Sequence, residues 1–368
     1  MKRTVKQERE QPIRQIKFLL LESMKKKIAH VFRFKHQFKV MRNLKESLTG
    51  SDIFFHFDFS ENYQGSYHRE IQLAYYGASK PEITLHTGIL QTGDTKKSFI
   101  TLSKSTRHDP PAVMAHLVPI MRQYFDSYPV TNVHLQSDSP STQYWNKTFY
   151  LMCTVLPKLW PQILQLTYNY SEGGHGKGIP DSLGGWAKGT ADDAVKHGRD
   201  VASFEALVSL LKQSSKKVLI ETIDLCEIEF YDKLVPPNLV PFPGTMMVHQ
   251  FSWTKEFSDK IYFNSVSCYD CPPGSRCEHF SLPGSPWNFL PQPQDVSPEG
   301  ANKRNGPRSG APSDSETAAK KPRKTKPLSR IVETADWVAV PFGRFWYPGA
   351  KCKISSEKYS KKNTNRIY

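Results

Sequence analysis

Residues 53–59 (IFFHFDF) constrain the fold more than any other stretch of this chain. They are too aromatic to face water, and as a short run between turn signals they form a buried strand rather than a helix. Asp58 sits at the end of that strand. Two further strands follow at 82–90 (EITLHTGIL) and 98–102 (SFITL), separated by the hairpin-like TGDTKK. Asp109-Pro110-Pro111 then supplies a capping residue and prolines for a helix start. Val113, Leu117, Ile120, Met121, Tyr124 and Phe125 mark that helix's apolar face up to Tyr128-Pro129. Beyond it the pattern predicts a strand over 130–135, a helix over 143–156 and a strand over 163–168. A glycine-rich loop then leads to helices over 180–197 and 201–211 and a strand over 217–225. This order predicts an α/β fold, a ribonuclease-H-like mixed sheet flanked by helices.

The 368 residues suffice for one main domain with appendages, and charge marks where these begin. Residues 1–50 hold 14 Lys or Arg against 4 acids, a net +10, and residues 301–368 hold 16 against 5, a net +11. The overall +15 therefore leaves 51–300 at −6. Basic arms flanking a mildly acidic body point to a nucleic-acid partner, DNA foremost, because Lys and Arg neutralise phosphates without reading sequence. Between 13 and 48 there is no Pro or Gly, and Ile16, Leu20, Met24, Ile28, Phe32 and Phe34 recur near helical spacing, which predicts one or two basic amphipathic helices. Residues 283–330 are too polar to fold and read as a linker; Lys303-Arg304 and Lys320-Lys321-Pro322-Arg323-Lys324 give it a two-part nuclear import pattern. The charged N-terminus lacks a secretory apolar stretch, and runs such as 18–21 (FLLL) fall far short of the roughly 20 residues of a membrane span. A nuclear location and no membrane partner follow. The expected division is a basic helical arm over 1–50, the ribonuclease-H-like core over 51–235 and a core extension with a Cys-rich segment over 236–282. The linker over 283–330 then leads, over 331–368, to a partial SH3-like hairpin (DWVAVPFGRFWYPG) and a basic tail.

Metal-assisted cutting or joining of nucleic acid needs two or three carboxylates at one point, because Mg²⁺ or Mn²⁺ ions about 4 Å apart stabilise the attacking and leaving oxygens. Asp58 (HFDFSENY) and Asp138 (HLQSDSPSTQYWN), at the ends of the first and fourth strands, meet if those strands are neighbours. The third acid should come from beyond the fifth strand, where Asp181 and Glu172 are the candidates. Singly, an Asp after a strand is more often a turn or cap residue than a ligand. The expectation rests on all three topological positions together.

These blocks, HFDFSENY with EIQLAYY and TLHTG, then SDSPSTQYWN, then HGKGIPDSLGG, resemble those of a DDE-type transposase-like family of animal mobile-element proteins with a ribonuclease-H-like core. The resemblance covers about residues 30–280. It implies a metal-dependent DNA nuclease or strand transferase using water or a DNA 3′-hydroxyl as nucleophile. It matches Asp58 and Asp138 to the first two acids and Asp181 to the third, with Glu172 in reserve. His175 and Lys177, inside GGHGKG, match a loop whose glycines admit a scissile phosphate to backbone N–H groups, and Glu61 and Asn62 lie where they would support Asp58. The loop is not a Walker site, since Gly178 rather than Ser or Thr follows Lys177. A homo-oligomer is compatible with this reading. Ser139-Pro140 after Asp138, Pro180 and Ser182 around Asp181, and Tyr75-Tyr76 depart from the family's blocks. They carry a second expectation, a host-adopted nuclear nucleic-acid-binding protein that kept the fold and lost turnover.

Cys268, Cys271, Cys277 and His279 (SCYDCPPGSRCEH) offer four ligands for a structural Zn²⁺, and the first pair has the spacing that lets two thiolates share a tetrahedral ion. Ordinary reduced thiols are the plain alternative. A third function, a zinc-dependent protein-interaction scaffold without affinity for DNA, rests on this segment.

Overall fold

The aromatic run lies inside β1 (Asp52–Gln64), where Ile53, Phe55 and Phe57 are fully buried. Each such phenylalanine contributes about 1.5–3 kcal/mol to folding. The computed structural model describes residues 12–69, 80–126, 128–176, 178–289, 337–342 and 345–350. β2 (Glu82–Gln91) runs antiparallel to β1, and β3 (Lys96–Ser103) antiparallel to β2. Helix α2 (Pro110–Phe125) starts where Asp109 accepts the Ala112 N–H, and it returns the chain so that β4 (Asn132–Ser137) lies parallel to β1. Helices α3 (Lys147–Cys153) and α4 (Leu156–Leu159) do the same for β5 (Gln165–Tyr170), parallel to β4. The order β3-β2-β1-β4-β5, with only β2 reversed, is the ribonuclease-H-like arrangement that the element order predicts.

After β5 come α5 (Ile179–Lys196), α6 (Phe204–Ser214), β6 (Val218–Ile223) and α7 (Leu225–Asp232). β6 pairs parallel with β3, and β7 (Gln250–Thr254), β8 (Lys260–Asn264) and β9 (Trp287–Asn288) extend the far edge antiparallel to β5 and to one another. The nine-stranded order is β6-β3-β2-β1-β4-β5-β7-β8-β9. One face packs Phe55, Phe57, Val133 and Leu135 against Val113, Leu117 and Phe149 of α2 and α3. The other packs Leu85, Ile100 and Leu102 against Ala187, Leu207 and Leu211 of α5 and α6. On the first face His86 and His116 are fully buried, and burial above all drives both imidazoles toward the neutral form.

The structure departs from the sequence expectation at three places. The helix expected over 143–156 is the shorter α3 followed by α4, because the Asn146 side chain accepts the Phe149 N–H and starts the helix there. The packed chain continues past 282, since Trp287 and Phe289 are 5% and 4% exposed. Residues 1–50 are not wholly an arm. Within them Ile13–Glu46 form one helix, α1, whose early turns leave Ile13, Phe18 and Leu20 exposed while Gln37, Met41 and Leu44 are buried. Residues 291–368 make a separate unit, in which β10 (Trp337–Phe342) and β11 (Phe345–Ala350) form an antiparallel hairpin. The import pattern, Tyr75-Tyr76, Lys177 and the basic tail lie outside the described residues. Among the described residues no helix is long and apolar enough to cross a membrane.

Candidate active site

β1 and β4 are neighbours, and their parallel register pairs His56 with Gln136. Two residues further along each strand, on the same face, stand Asp58 and Asp138, whose carboxyl groups come within hydrogen-bonding reach of each other. Asp181 opens the first turn of α5, and its charge acts on both. The start of α5 is fixed to the sheet by the Thr87 hydroxyl, which donates to the Pro180 carbonyl at 2.8 Å. Gly176 lies on Asp138 so closely that a Cβ there would meet the Asp138 Cβ at 2.6 Å, and a Cβ on Gly178 would meet the His56 ring at 2.8 Å. Gly176 is thus needed for close approach to Asp138, and Gly178 for close approach to His56.

Burial raises the Asp58 pKa most, and the Asp138 and Asp181 carboxylates add to it. Burial also raises Asp138; its hydrogen bond with Asp58 opposes the shift and Asp181 reinforces it. Two such carboxyls cannot both ionise without a compensating charge. The Asp138 Oδ1 is buried and has no hydrogen-bond partner among the described residues, which leaves one strong acceptor unused there. The Asp181 carboxylate is partly committed: it accepts the Gly178 N–H at 2.8 Å and caps α5.

Glu172, the reserve candidate, has a different task. Its carboxylate accepts from Arg33 Nε and Nη2 at 2.9–3.0 Å, from His30 Nδ1 at 2.8 Å and from His249 Nε2 at 2.7 Å. Burial alone would raise its pKa, but the bonds from Arg33, His30 and His249 outweigh that and lower it to about 2. Glu172 therefore fastens α1 to the loop after β5. His175 belongs to the same fastening: its ring stacks on Phe34 with centroids 4.0 Å apart, and its Nε2 is 3.1 Å from His30 Nε2. Since His30 spends Nδ1–H on Glu172, its Nε2 accepts and His175 donates. Glu61 faces Lys188 at 3.7 Å, and the Asn62 side chain bonds Glu82, Thr84 and His108, so both serve the surroundings of β1.

The Cys-rich segment converges as its spacing predicts. One ligand atom from each of Cys268, Cys271, Cys277 and His279 lies within 4.8 Å of the others, and this group could hold a metal such as zinc. The three aspartates do not form so tight a group. The segment is held to α1, where His36 Nε2 donates to the Ser267 carbonyl at 2.7 Å and Gln37 Oε1 accepts the Ser267 N–H at 2.7 Å.

A family model described as a domain of unknown function (DUF8701) matches residues 37–266. The chain belongs to that family. No curated protein and no solved structure matches it. The DUF8701 match contains Asp58, Asp138, Glu172 and Asp181, but the helical turns carrying His30, Arg33 and Phe34 precede it and the group of Cys268, Cys271, Cys277 and His279 follows it. Sequence reasoning missed His30, Arg33, Gln37 and His249 as site residues. The signal for the first three is a single stripe on α1, positions 30, 33, 37, 41 and 44, whose apolar end marks core and whose polar end marks contact with something charged; His249 carries no such signal.

Proposed function

We propose that this protein is a metal-dependent phosphoryl transferase acting on DNA phosphodiesters, a transposase-like nuclease or strand transferase. The observation that carries the proposal is the pair of buried carboxyls, Asp58 and Asp138, side by side at parallel strands with one Asp138 oxygen unpartnered among the described residues. Such a pair fits a divalent cation, because a double positive charge removes the repulsion and uses the spare acceptor. Asp58 and Asp138 would hold Mg²⁺ or Mn²⁺, and Asp181 would join them by giving up its cap on Gly178. The ion, when bound, supplies charge stabilisation at a phosphate oxygen. The glycine-rich loop holds backbone against Asp138, and Phe34 and His30 fix the ring of His175. The basic face of α1 supplies sequence-independent phosphate contacts in the nucleus. Zn²⁺ at Cys268, Cys271, Cys277 and His279 has a structural part, fastening the segment beyond β8 to α1.

The commitment of Asp181 to its helix cap favours a second reading, a DNA-binding protein without turnover. Nicking of supercoiled DNA with Mn²⁺, together with Mn²⁺ binding followed by electron paramagnetic resonance, separates the two. Loss of both signals in Asp138→Asn supports the enzyme. DNA binding by the wild type with neither nicking nor bound Mn²⁺ supports the second reading.

A further inference from the structure

The face of the sheet that bears Asp58 and Asp138 is polar toward the start of β1 and β4 and across the strands beside them. β1, β4, β5, β7 and β8 present Asp52, His134, Thr167, Gln250 and Asn264 there, whereas Ile53, Val133, Leu166, Phe251 and Phe263 line the other face. A sheet covered on both sides is ordinarily apolar on both. These polar side chains enclose a cavity of about 250 Å³, roofed by Leu44 of α1 and by Cys268 and Tyr269 of the Cys-rich segment.

The cavity has an excess of acceptors. Burial opposes ionisation of Asp52, but the His134 ring, with Nε2 3.8 Å from Oδ1, and bonds from the Thr49 N–H and hydroxyl and from Asn132 Nδ2 hold it below the usual carboxylate range. Asn264 is 6% exposed and gives its Nδ2–H to Gln250 Oε1 at 2.8 Å, while its Oδ1 is buried with no partner among the described residues. Among the described residues no lysine or arginine lines the space. Two rings border it, those of His134 and Tyr269, with centroids 5.8 Å apart. A ligand that suits this lining is cationic, donates several hydrogen bonds and is flat enough to lie against an aromatic ring. An ammonium is a compact, strongly hydrated point charge, whereas a guanidinium is planar, weakly hydrated and carries its donors in a fixed fork.

We propose that the cavity between the start of β1 and the Cys-rich segment binds a guanidinium group, carried either by a small molecule or by an arginine side chain of a peptide. Asp52 supplies the counter-charge and Asn264 Oδ1 accepts a donor that nothing else satisfies.

Calorimetric titration of the full chain with methylguanidinium, agmatine and the peptide Gly-Arg-Gly tests this, against methylammonium and Gly-Lys-Gly at equal ionic strength. The expected result is saturable binding of at least one guanidinium probe, at least tenfold tighter than its ammonium counterpart and at least tenfold weaker in Asn264→Leu. Because Asp52 also anchors the Thr49 turn, Gln165→Leu, at the half-buried rim, serves as the second variant and should weaken binding by a smaller factor. Binding by methylguanidinium or agmatine assigns the site to a free compound, and binding by the peptide alone assigns it to a protein arginine. Equal affinity for the ammonium probes, unchanged binding in both variants, or no saturable heat with any guanidinium probe overturns the proposal. Any of these results leaves the reading of Asp58 and Asp138 untouched.

Discussion

Glu172→Gln is the substitution whose consequences the structure specifies most closely. The side chain keeps its shape but loses the charge that Arg33, His30 and His249 meet. Glu172 is 7% exposed and His249 6%, so that pair is buried; Arg33 and His30, at 35% and 37%, are screened by solvent. Breaking a fully buried pair costs about 3–5 kcal/mol, and discounting the two outer partners leaves roughly 2–3 kcal/mol. For a protein of this size that corresponds to a fall in Tm of about 5–10 °C. The direction with pH follows from the same contacts. The folded pKa of about 2 lies below the unfolded value near 4.3, so the stabilisation is complete above the unfolded pKa and is lost as pH falls toward 2. The assays are thermal unfolding at pH 7 and urea unfolding at pH 7 and pH 3, with trypsin cleavage at Lys25, Lys26 and Lys27 of α1 as a local probe. Wild type should lose stability between those pH values more than the variant does, and the variant's α1 should be cut faster. A variant with Tm within 1 °C of wild type and unchanged cleavage would refute the view that Glu172 holds α1 to the core.

Gly176→Ala should lower Mn²⁺ affinity at least tenfold, because its Cβ would meet that of Asp138 at 2.6 Å; Gly185→Ala, where a Cβ meets nothing, should leave Mn²⁺ affinity unchanged in the same paramagnetic-resonance titration. His86 and His116 have folded pKa values driven below the unfolded value near 6.5, so their contribution is present above that pH and lost as pH falls through it; the urea midpoint should decline from pH 6.5 toward pH 4 and decline less steeply in His116→Gln. Cys277→Ser should lose most of any zinc found by elemental analysis of the purified chain, with a lower Tm and no change in Mn²⁺ binding by the aspartates.

The central fold was legible because periodicity and turn chemistry agreed over residues 53–225. The aromatic run of β1, the Asp109-Pro110 helix start and the five-strand order all recur in the structure. β7 and β8 were not legible, since five-residue strands such as QFSWT and KIYFN are too short for alternation to separate them from loop. The positions of Asp58 and Asp138 followed from strand order alone, because adjacent parallel strands bring their C-terminal ends together. The role of Glu172 did not. Its partners come from residues 30–33 and 249, and a sequence gives no measure of which distant helix will cross a loop. The polar face above β1 and β4 was hidden for a related reason: alternation of polar and apolar residues reads as exposure to water, and here it is covered by α1 and the Cys-rich segment.

The contact of α1 with the loop changes how the basic N-terminal region can be tested. Deleting residues 1–50 removes the Lys and Arg that would meet phosphate, but also His30, Arg33 and Gln37, which hold Glu172, His175 and Ser267. A loss of DNA affinity or of nicking after that deletion would not distinguish missing phosphate contacts from a displaced loop beside Asp138. The side chains of Lys25, Lys26 and Lys27 stand on exposed turns, so replacing all three by Gln removes charge and leaves the fastening intact. If the early turns of α1 meet the DNA backbone, the logarithmic salt dependence of affinity should fall by up to about 3 in slope, close to one per lysine, with Tm unchanged. An unchanged slope would assign DNA contact to other parts of the chain and leave α1 as a structural member of the site alone.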